Sequence, residues 1–402
     1  MKHILYLTYD GISDPLGQSQ VLPYICGLNK SSNLQFTIIS FEKNKNSDKT
    51  NEIEELLFNN NINWIKLKYR KNPPIISTLY DLFILFLTVK KLIKLQKVDF
   101  LHCRSYITTI VGQIIKKKTG IPFIFDMRGF YADERVDGKI WPQENFLYRK
   151  IFKYFKKKER QFLQESYSNI CLTSQGKKEI ESWDLSEVSP IHVIPCCTDG
   201  ELFNLKNRKI NREDIGLKKT DFIISYVGST GTWYMLDEML DFFKVLIEKK
   251  QNSIFLFITK DNPNLIFEKC FKKKIPKSSI IIQPSSREMM PSYIGLSDFS
   301  IFFILPVYSK KASSPTKMGE IMNLGIPIIC NSGVGDVDEV MGLSMPELLV
   351  KYFNTQEYER IVDLILNDFN FETEKIIQTS HNFYSLNNGV KKYLDIYNEI
   401  LN

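Results

Sequence analysis

The densest run of chemistry-bearing residues is Ser313-Ser314-Pro315-Thr316-Lys317-Met318-Gly319-Glu320, followed by Ile321-Met322-Asn323-Leu324-Gly325-Ile326-Pro327. Ser314 is placed to N-cap a helix whose first residue is Pro315, and Gly325 ends it. The free amides of such a helix start, with Thr316 and Lys317 in the first turn, make an anion site suited to a pyrophosphate. Glu320 follows Lys317 by three residues and shares its face, where a carboxylate can accept two ribose hydroxyls. A well-capped helix with a surface Lys and Glu would show the same letters.

A second concentration lies at Phe125-Asp126-Met127-Arg128-Gly129-Phe130-Tyr131-Ala132-Asp133-Glu134-Arg135. Two cations and three carboxylates gather there just past a predicted strand end, where α/β sheets place ligands. Charges so crowded are costly unless solvated or paired. Arg128 therefore either faces a ligand or bridges to Asp126. Arg104, in His102-Cys103-Arg104-Ser105 after the preceding strand, points to the same rim, whereas His102 alternates inward as a core histidine. Two glycine loops follow predicted strands. Gly17, before a helix, permits close backbone approach to a phosphate or sugar. Gly228-Ser229-Thr230-Gly231-Thr232-Trp233-Tyr234 offers amides and hydroxyls but no cation, or is simple turn chemistry. Arg287 lies before Pro291 and a predicted helix, where a surface turn is one reading.

These residues need a scaffold, and the chain supplies an alternating one. Predicted strands His3–Tyr9, Gln35–Phe41, Asn63–Tyr69, Phe100–Arg104, Pro122–Asp126, Asn169–Thr173 and His192–Pro195 are separated by amphipathic stretches such as Gln18–Leu28, Thr78–Lys97 and Phe146–Tyr167. Alternation of this kind gives parallel strands with crossover helices. It begins again with Asp221–Val227, Ser253–Thr259, Ser279–Gln283, Phe299–Ile304 and Ile326–Cys330. Helices are expected near Leu236–Lys249, Pro291–Ser297 and Pro315–Leu324. The polar segment 199–219 has no strand signal and is expected to join domain 1–198 to domain 220–384. Residues 385–402 form a last helix whose Val390, Tyr393, Leu394 and Tyr397 need a surface to cover.

At 402 residues the chain suits two domains, and 43% hydrophobic with 25% charged residues excludes wholesale disorder. A net charge of +7 suits anionic phosphates or an anionic membrane, and is too weak to imply nucleic acid. Seven cysteines without a C-x-x-C pair argue against a disulfide framework or a zinc site, and the four histidines lack ligand spacing. Met1-Lys2-His3 runs directly into a strand, so the expectation is a cytoplasmic protein without a signal peptide. Leu79–Lys97 joins an apolar face to Lys90, Lys91, Lys94 and Lys97. Tyr148–Lys158 joins Phe152 and Phe155 to six cations. Either could lie on anionic lipid at the inner face of the plasma membrane, or be an ordinary packed helix.

The Ser313–Pro327 stretch resembles the donor-site helix of family 4 glycosyltransferases, retaining enzymes of the GT-B fold. Val193-Ile194-Pro195-Cys196-Cys197-Thr198-Asp199 with Phe203 is similar to their pre-linker motif. Tyr226-Val227-Gly228-Ser229 is similar to the opening of their second domain, and Ser385 through Tyr397 to their C-terminal crossover helix. The resemblance implies two Rossmann-like doubly wound domains with a cleft between them. It also implies metal-independent transfer from a UDP- or GDP-linked sugar to a glycan or polyprenyl-linked acceptor, as in surface polysaccharide and lipopolysaccharide synthesis. On this reading Gly17, Gly228, Ser229, Thr230, Arg287, Ser314, Thr316, Lys317 and Glu320 hold the donor. Lys317, Arg128 and Asp126 serve catalysis, and Arg104, Asp133 and Glu134 lie on the acceptor side.

Two features depart from the family. Its E-x7-E pair lacks the first glutamate, since position 312 is Ala312. Its Arg and Lys after the first strand of the second domain are absent, which leaves phosphate charge to Lys317 and helix dipoles. A nucleotide-sugar 2-epimerase and a non-catalytic scaffold on the same fold stay open. A sugar phosphorylase would need a pyridoxal-binding lysine and a much longer chain.

Overall fold

A computed structural model describes residues 2–43, 48–367 and 371–402. The chain forms two compact units, Met1–Pro195 with Leu386–Asn402, and Cys196–Ser385. Each is built on one parallel sheet.

The first unit carries β1 (Lys2–Thr8), β2 (Leu34–Glu42), β3 (Asn63–Lys68), β4 (Phe100–Arg104), β5 (Phe123–Asp126), β6 (Ser168–Cys171) and β7 (Ile191–Val193). Their order is β3-β2-β1-β4-β5-β6-β7. Strands β1, β2, β4 and β5 are buried along almost their whole length, as parallel strands covered on both faces must be. The chain order reverses between β1 and β4, and register there aligns Thr8 with Arg104 and Arg104 with Asp126. A crevice therefore opens at the switch point beside those two charged residues. The last helix, Leu386–Leu401, belongs to this unit and packs on the helix Leu22–Ser31. Gly27 makes that approach feasible, because a Cβ there would meet Val390 at 2.7 Å. The helix buries Val390, Tyr393, Ile396 and Tyr397, while Leu394 is only half-buried.

The second unit carries β8 (Phe222–Val227), β9 (Ser253–Ile258), β10 (Ile280–Gln283), β11 (Phe299–Phe302), β12 (Ile328–Asn331) and β13 (Leu349–Val350), ordered β10-β9-β8-β11-β12-β13. Its switch point lies between β8 and β11. Strand β11 stops short of the expected Ile304 because the Asn331 side chain takes over there. It accepts from the Ile304 amide at 2.7 Å and donates to the Ile304 carbonyl at 2.9 Å. Strand β13 has two residues, too few for a periodic signal. Residues 199–219, read from sequence as a joining segment, fold onto this unit. Phe203 is buried in its core, and Arg212 pairs with Asp298 at 2.9 Å. No helix among the described residues is long and apolar enough to cross a membrane.

Candidate active site

In the second unit the site grows from the end of β8. Gly228 turns the chain at φ 105°, a left-handed conformation that suits glycine. The Tyr226 hydroxyl donates to the Ser229 carbonyl and closes the loop, and Tyr234 bridges to Ile304. The helix Thr316–Asn323 sends Lys317 into this loop. Its Nζ lies 3.6 Å from the Tyr234 ring centroid and 4.1 Å from that of Tyr226. A Cβ on Gly228 would stand 3.4 Å from the same Nζ. The cation that the loop lacks in sequence thus arrives from the helix. Nζ is buried and has no hydrogen-bond partner among the described residues. Burial pushes the Lys317 ammonium well below its ordinary range, against the pull of Glu320 one turn on.

Glu320 is also buried, and its Oε1 accepts from Arg287 Nη1 at 2.9 Å. Burial pushes this carboxyl up, and Arg287 and Lys317 pull it back. Arg287 itself rests 5.2 Å over the Phe203 ring. Gly228, Arg287, Lys317 and Glu320, from three separate segments, therefore meet at one switch point. Ser314 does not N-cap the helix. Pro315 holds that position with no side-chain cap, and the Ser314 hydroxyl instead accepts from the Cys196 amide at 3.1 Å. The first-turn amides, at half-buried Thr316 and at Lys317, consequently have no side-chain acceptor from a cap. Thr230 gives both its amide and its hydroxyl to Asp261, at 2.5 and 2.9 Å, so its contribution is loop geometry. Ala312 is buried and apolar.

In the first unit Asp126 is the centre of a buried cluster. Its Oδ2 lies 3.3 Å from His102 Nε2, 3.2 Å from the Tyr393 hydroxyl and 3.7 Å from Arg104 Nη1. Its Oδ1 lies 3.7 Å from Arg128 Nη1. Burial alone would raise this carboxyl, yet Arg128, His102 and Arg104 outweigh it and hold it at about 2. The Tyr397 hydroxyl meets His102 Nδ1 at 2.7 Å. A carboxylate only accepts, so Nε2 carries the imidazole proton and Nδ1 accepts from Tyr397. Burial keeps this ring neutral by pushing its pKa down. Arg104 also stands 3.6 Å from Asp10, just past β1. Arg128 has φ 60°, strained for a side-chain-bearing residue, and its Nη2 donates to Gln20 at 3.5 Å.

Three other expected positions have surroundings of their own. Asp133 pairs with Lys156 at 2.8 Å, and Lys156 also pairs with buried Glu159, to which Tyr106 donates. That network ties helices together. Glu134 follows Asp133 in the short helix Tyr131–Asp137 and is half-buried. Gly17 lies inside the helix Pro15–Gln20 and not before it. The backbone it lets close in is the chain's own, because a Cβ there would meet the Gly11 carbonyl at 2.3 Å. Sequence reasoning missed Tyr226, Tyr234 and Asp261 around the loop, although two tyrosines bracketing a glycine turn were visible. It gave Tyr393 and Tyr397 only a packing role.

Two parallel doubly wound sheets in one chain are the architecture of the GT-B fold. Residues 33–202 match the model of Glycosyltransferase Family 4, and residues 207–381 match that of Glycosyl transferases group 1. The chain belongs to the family 4-like glycosyltransferases. No curated protein matches the sequence. Among solved structures, sucrose-phosphate synthase from Thermosynechococcus elongatus is similar at TM-score 0.76 and 12% identity, covering 100% of this chain and 99% of that one. An E. coli trehalose-6-phosphate protein bound with UDP-2-fluoro glucose gives TM-score 0.67 and 12% identity, over 98% of this chain and 99% of the other. The UDP-GlcNAc 2-epimerase from Neisseria meningitidis bound to UDP-GlcNAc gives TM-score 0.59 and 14% identity, over 99% and 100%.

Proposed function

We propose that this glycosyltransferase moves a sugar, with retention, from a UDP- or GDP-linked donor to a glycan or polyprenyl-linked acceptor. Its setting is surface polysaccharide or lipopolysaccharide synthesis at the inner face of the plasma membrane. The second unit holds the donor and the first the acceptor. The observation that carries this reading is Lys317, a buried cation without an acceptor among the described residues, delivered to a glycine loop beside uncapped helix amides. A buried charge left unmatched asks for an anion, and a diphosphate supplies one. Two structurally similar proteins carry UDP compounds.

As the bond from the anomeric carbon to the phosphate oxygen breaks, Lys317 and the helix amides stabilise the departing diphosphate, so the reading assigns no metal. A new bond forms from that carbon to the acceptor oxygen on the same face, and the acceptor proton passes to the leaving phosphate. Glu320 offers Oε2 to the ribose, since Oε1 already takes Arg287. Asp126, held near 2, is too weak a base to take a proton at neutral pH. It orients Arg128 for the transfer step instead. Arg104 belongs to the acceptor side, and Asp133 and Glu134 support it from the helix Tyr131–Asp137.

Titrating the chain with UDP and GDP by calorimetry, then incubating with nucleotide sugars, tests this reading. One diphosphate should bind, and sugar transfer should require an acceptor. Failure of both nucleotides to bind would refute it. Fold similarity to UDP-GlcNAc 2-epimerases keeps a second reading, and a 2-epimer formed without acceptor would favour it.

A further inference from the structure

The helix Ile76–Leu95 of the first unit is packed along one edge only. Ser77, Asp81, Leu85 and Val89 face inward at four-residue steps. The opposite stripe holds Ile76, Leu79, Tyr80, Phe83 and Leu87, exposed by 65, 61, 48, 56 and 43%. These follow i, i+3, i+4, i+7 and i+11, a single helix face. The same stripe continues as Lys90, Lys91 and Lys94, all exposed. Between Arg70 and Lys97 the sole acidic residue is Asp81, which is buried and paired with Arg70 at 2.8 Å. Five wet apolar side chains thus run into a basic stretch, and residues 70–97 carry no exposed carboxylate. An apolar surface of this kind marks an interaction site. The other basic stretch, Tyr148–Lys158, exposes Tyr154 alone of its apolar side chains, because Phe155 is buried and stacks on Trp141 at 5.6 Å, and Phe152 is half-buried.

We infer that the helix Ile76–Leu95 is the docking face for an anionic phospholipid bilayer. The inference deepens the membrane-face reading above by naming the surface. Apolar and basic groups succeed one another along one stripe, so the helix enters tilted, N-terminal end first. Its Ile76–Leu87 part spans about 16 Å and reaches the acyl boundary, while Lys90, Lys91 and Lys94 rest among the lipid phosphates. A second copy of the chain is a poor occupant. Two-fold pairing would set lysine against lysine or against apolar side chains, with no carboxylate on the stripe to match them. Docked this way, the unit assigned to the acceptor meets a lipid-anchored acceptor at the bilayer surface.

The test is co-sedimentation of the full chain with vesicles of phosphatidylcholine alone, and of phosphatidylcholine with phosphatidylglycerol. The chain should bind the second kind. Replacing Lys90, Lys91 and Lys94 together by Gln should weaken binding roughly 100-fold. The double change Leu79→Ser with Phe83→Ser should weaken it by a similar factor of about 100. All five side chains are exposed, so both variants should keep the parent's Tm and nucleotide affinity. Absence of binding to either vesicle, or binding indifferent to both variants, would overturn the inference. So would a Phe83-dependent dimer in place of lipid binding. Nucleotide titration of the same samples separates the two claims. Intact nucleotide binding without vesicle binding removes the docking face alone, and vesicle binding without nucleotide binding removes the donor reading alone.

Discussion

Lys317→Met distinguishes a ligand-binding lysine from a structural one. The Lys317 Nζ has no acceptor among the described residues and sits 3.6 and 4.1 Å from two tyrosine rings. An unmatched buried donor costs about 1–3 kcal/mol, and the ring faces return about 0.5–2 kcal/mol. The balance is neutral to unfavourable for the fold. Methionine, apolar and of similar volume, should hold stability or raise it by about 1 kcal/mol, roughly 2–4 °C in Tm for a unit of this size. Toward a diphosphate the same change removes a charge-assisted contact of about 1.5–3 kcal/mol, roughly a 10- to 150-fold loss of affinity. Scanning calorimetry and nucleotide titration read the two effects, which should move in opposite directions. The pH dependence adds a second signature. Burial holds Lys317 below its ordinary 10.5, so the folded chain gives up a proton that the unfolded chain keeps. Stability therefore rises with pH between the depressed value and 10.5, and this slope should vanish in the Met variant. Meeting a phosphate requires that proton back, so the parent's donor affinity should fall with pH across the same window. A variant that melts lower yet binds nucleotide as tightly as the parent would refute the reasoning and make Lys317 a strut against Tyr226 and Tyr234.

Glu320→Gln keeps an acceptor for Arg287 but loses the charge. Calorimetry should show donor affinity reduced roughly 5-fold at an unchanged Tm, and equal affinity would assign Glu320 to the helix alone. Arg128→Ala should abolish transfer with nucleotide affinity unchanged, since the nucleotide is assigned to the other unit. It also removes the strongest charge holding Asp126 at about 2. The stability this carboxylate contributes above its unfolded pKa of about 3.9, lost as pH falls toward 2, should shrink in the variant, which acid titration would detect. On a purely structural reading the loss, up to about 3–5 kcal/mol of stability, would bring nucleotide binding down together with turnover.

Much of this protein could be read from local sequence. Apolar runs such as Ile4–Leu7 and Ile223–Val227, alternating with amphipathic stretches, gave two parallel sheets, because strand and helix periodicity are properties of neighbouring residues. The Ser-Pro-Thr-Lys run announced a helix start and a cation near it, although the cap itself fell to Pro315. Partners and depth were not readable, since they depend on which distant segments pack together. That the Lys317 ammonium lies against Tyr226 and Tyr234, that Arg287 takes one oxygen of Glu320, and that Asp261 claims Thr230 follow from loops meeting at a switch point. Tyr397 reaches His102 across 295 positions of sequence. The backbone of Arg128 turns left-handed in a setting no propensity signals. Composition could offer two basic stretches for a membrane. Only the packed unit shows that Phe155 is buried and Phe83 left in water.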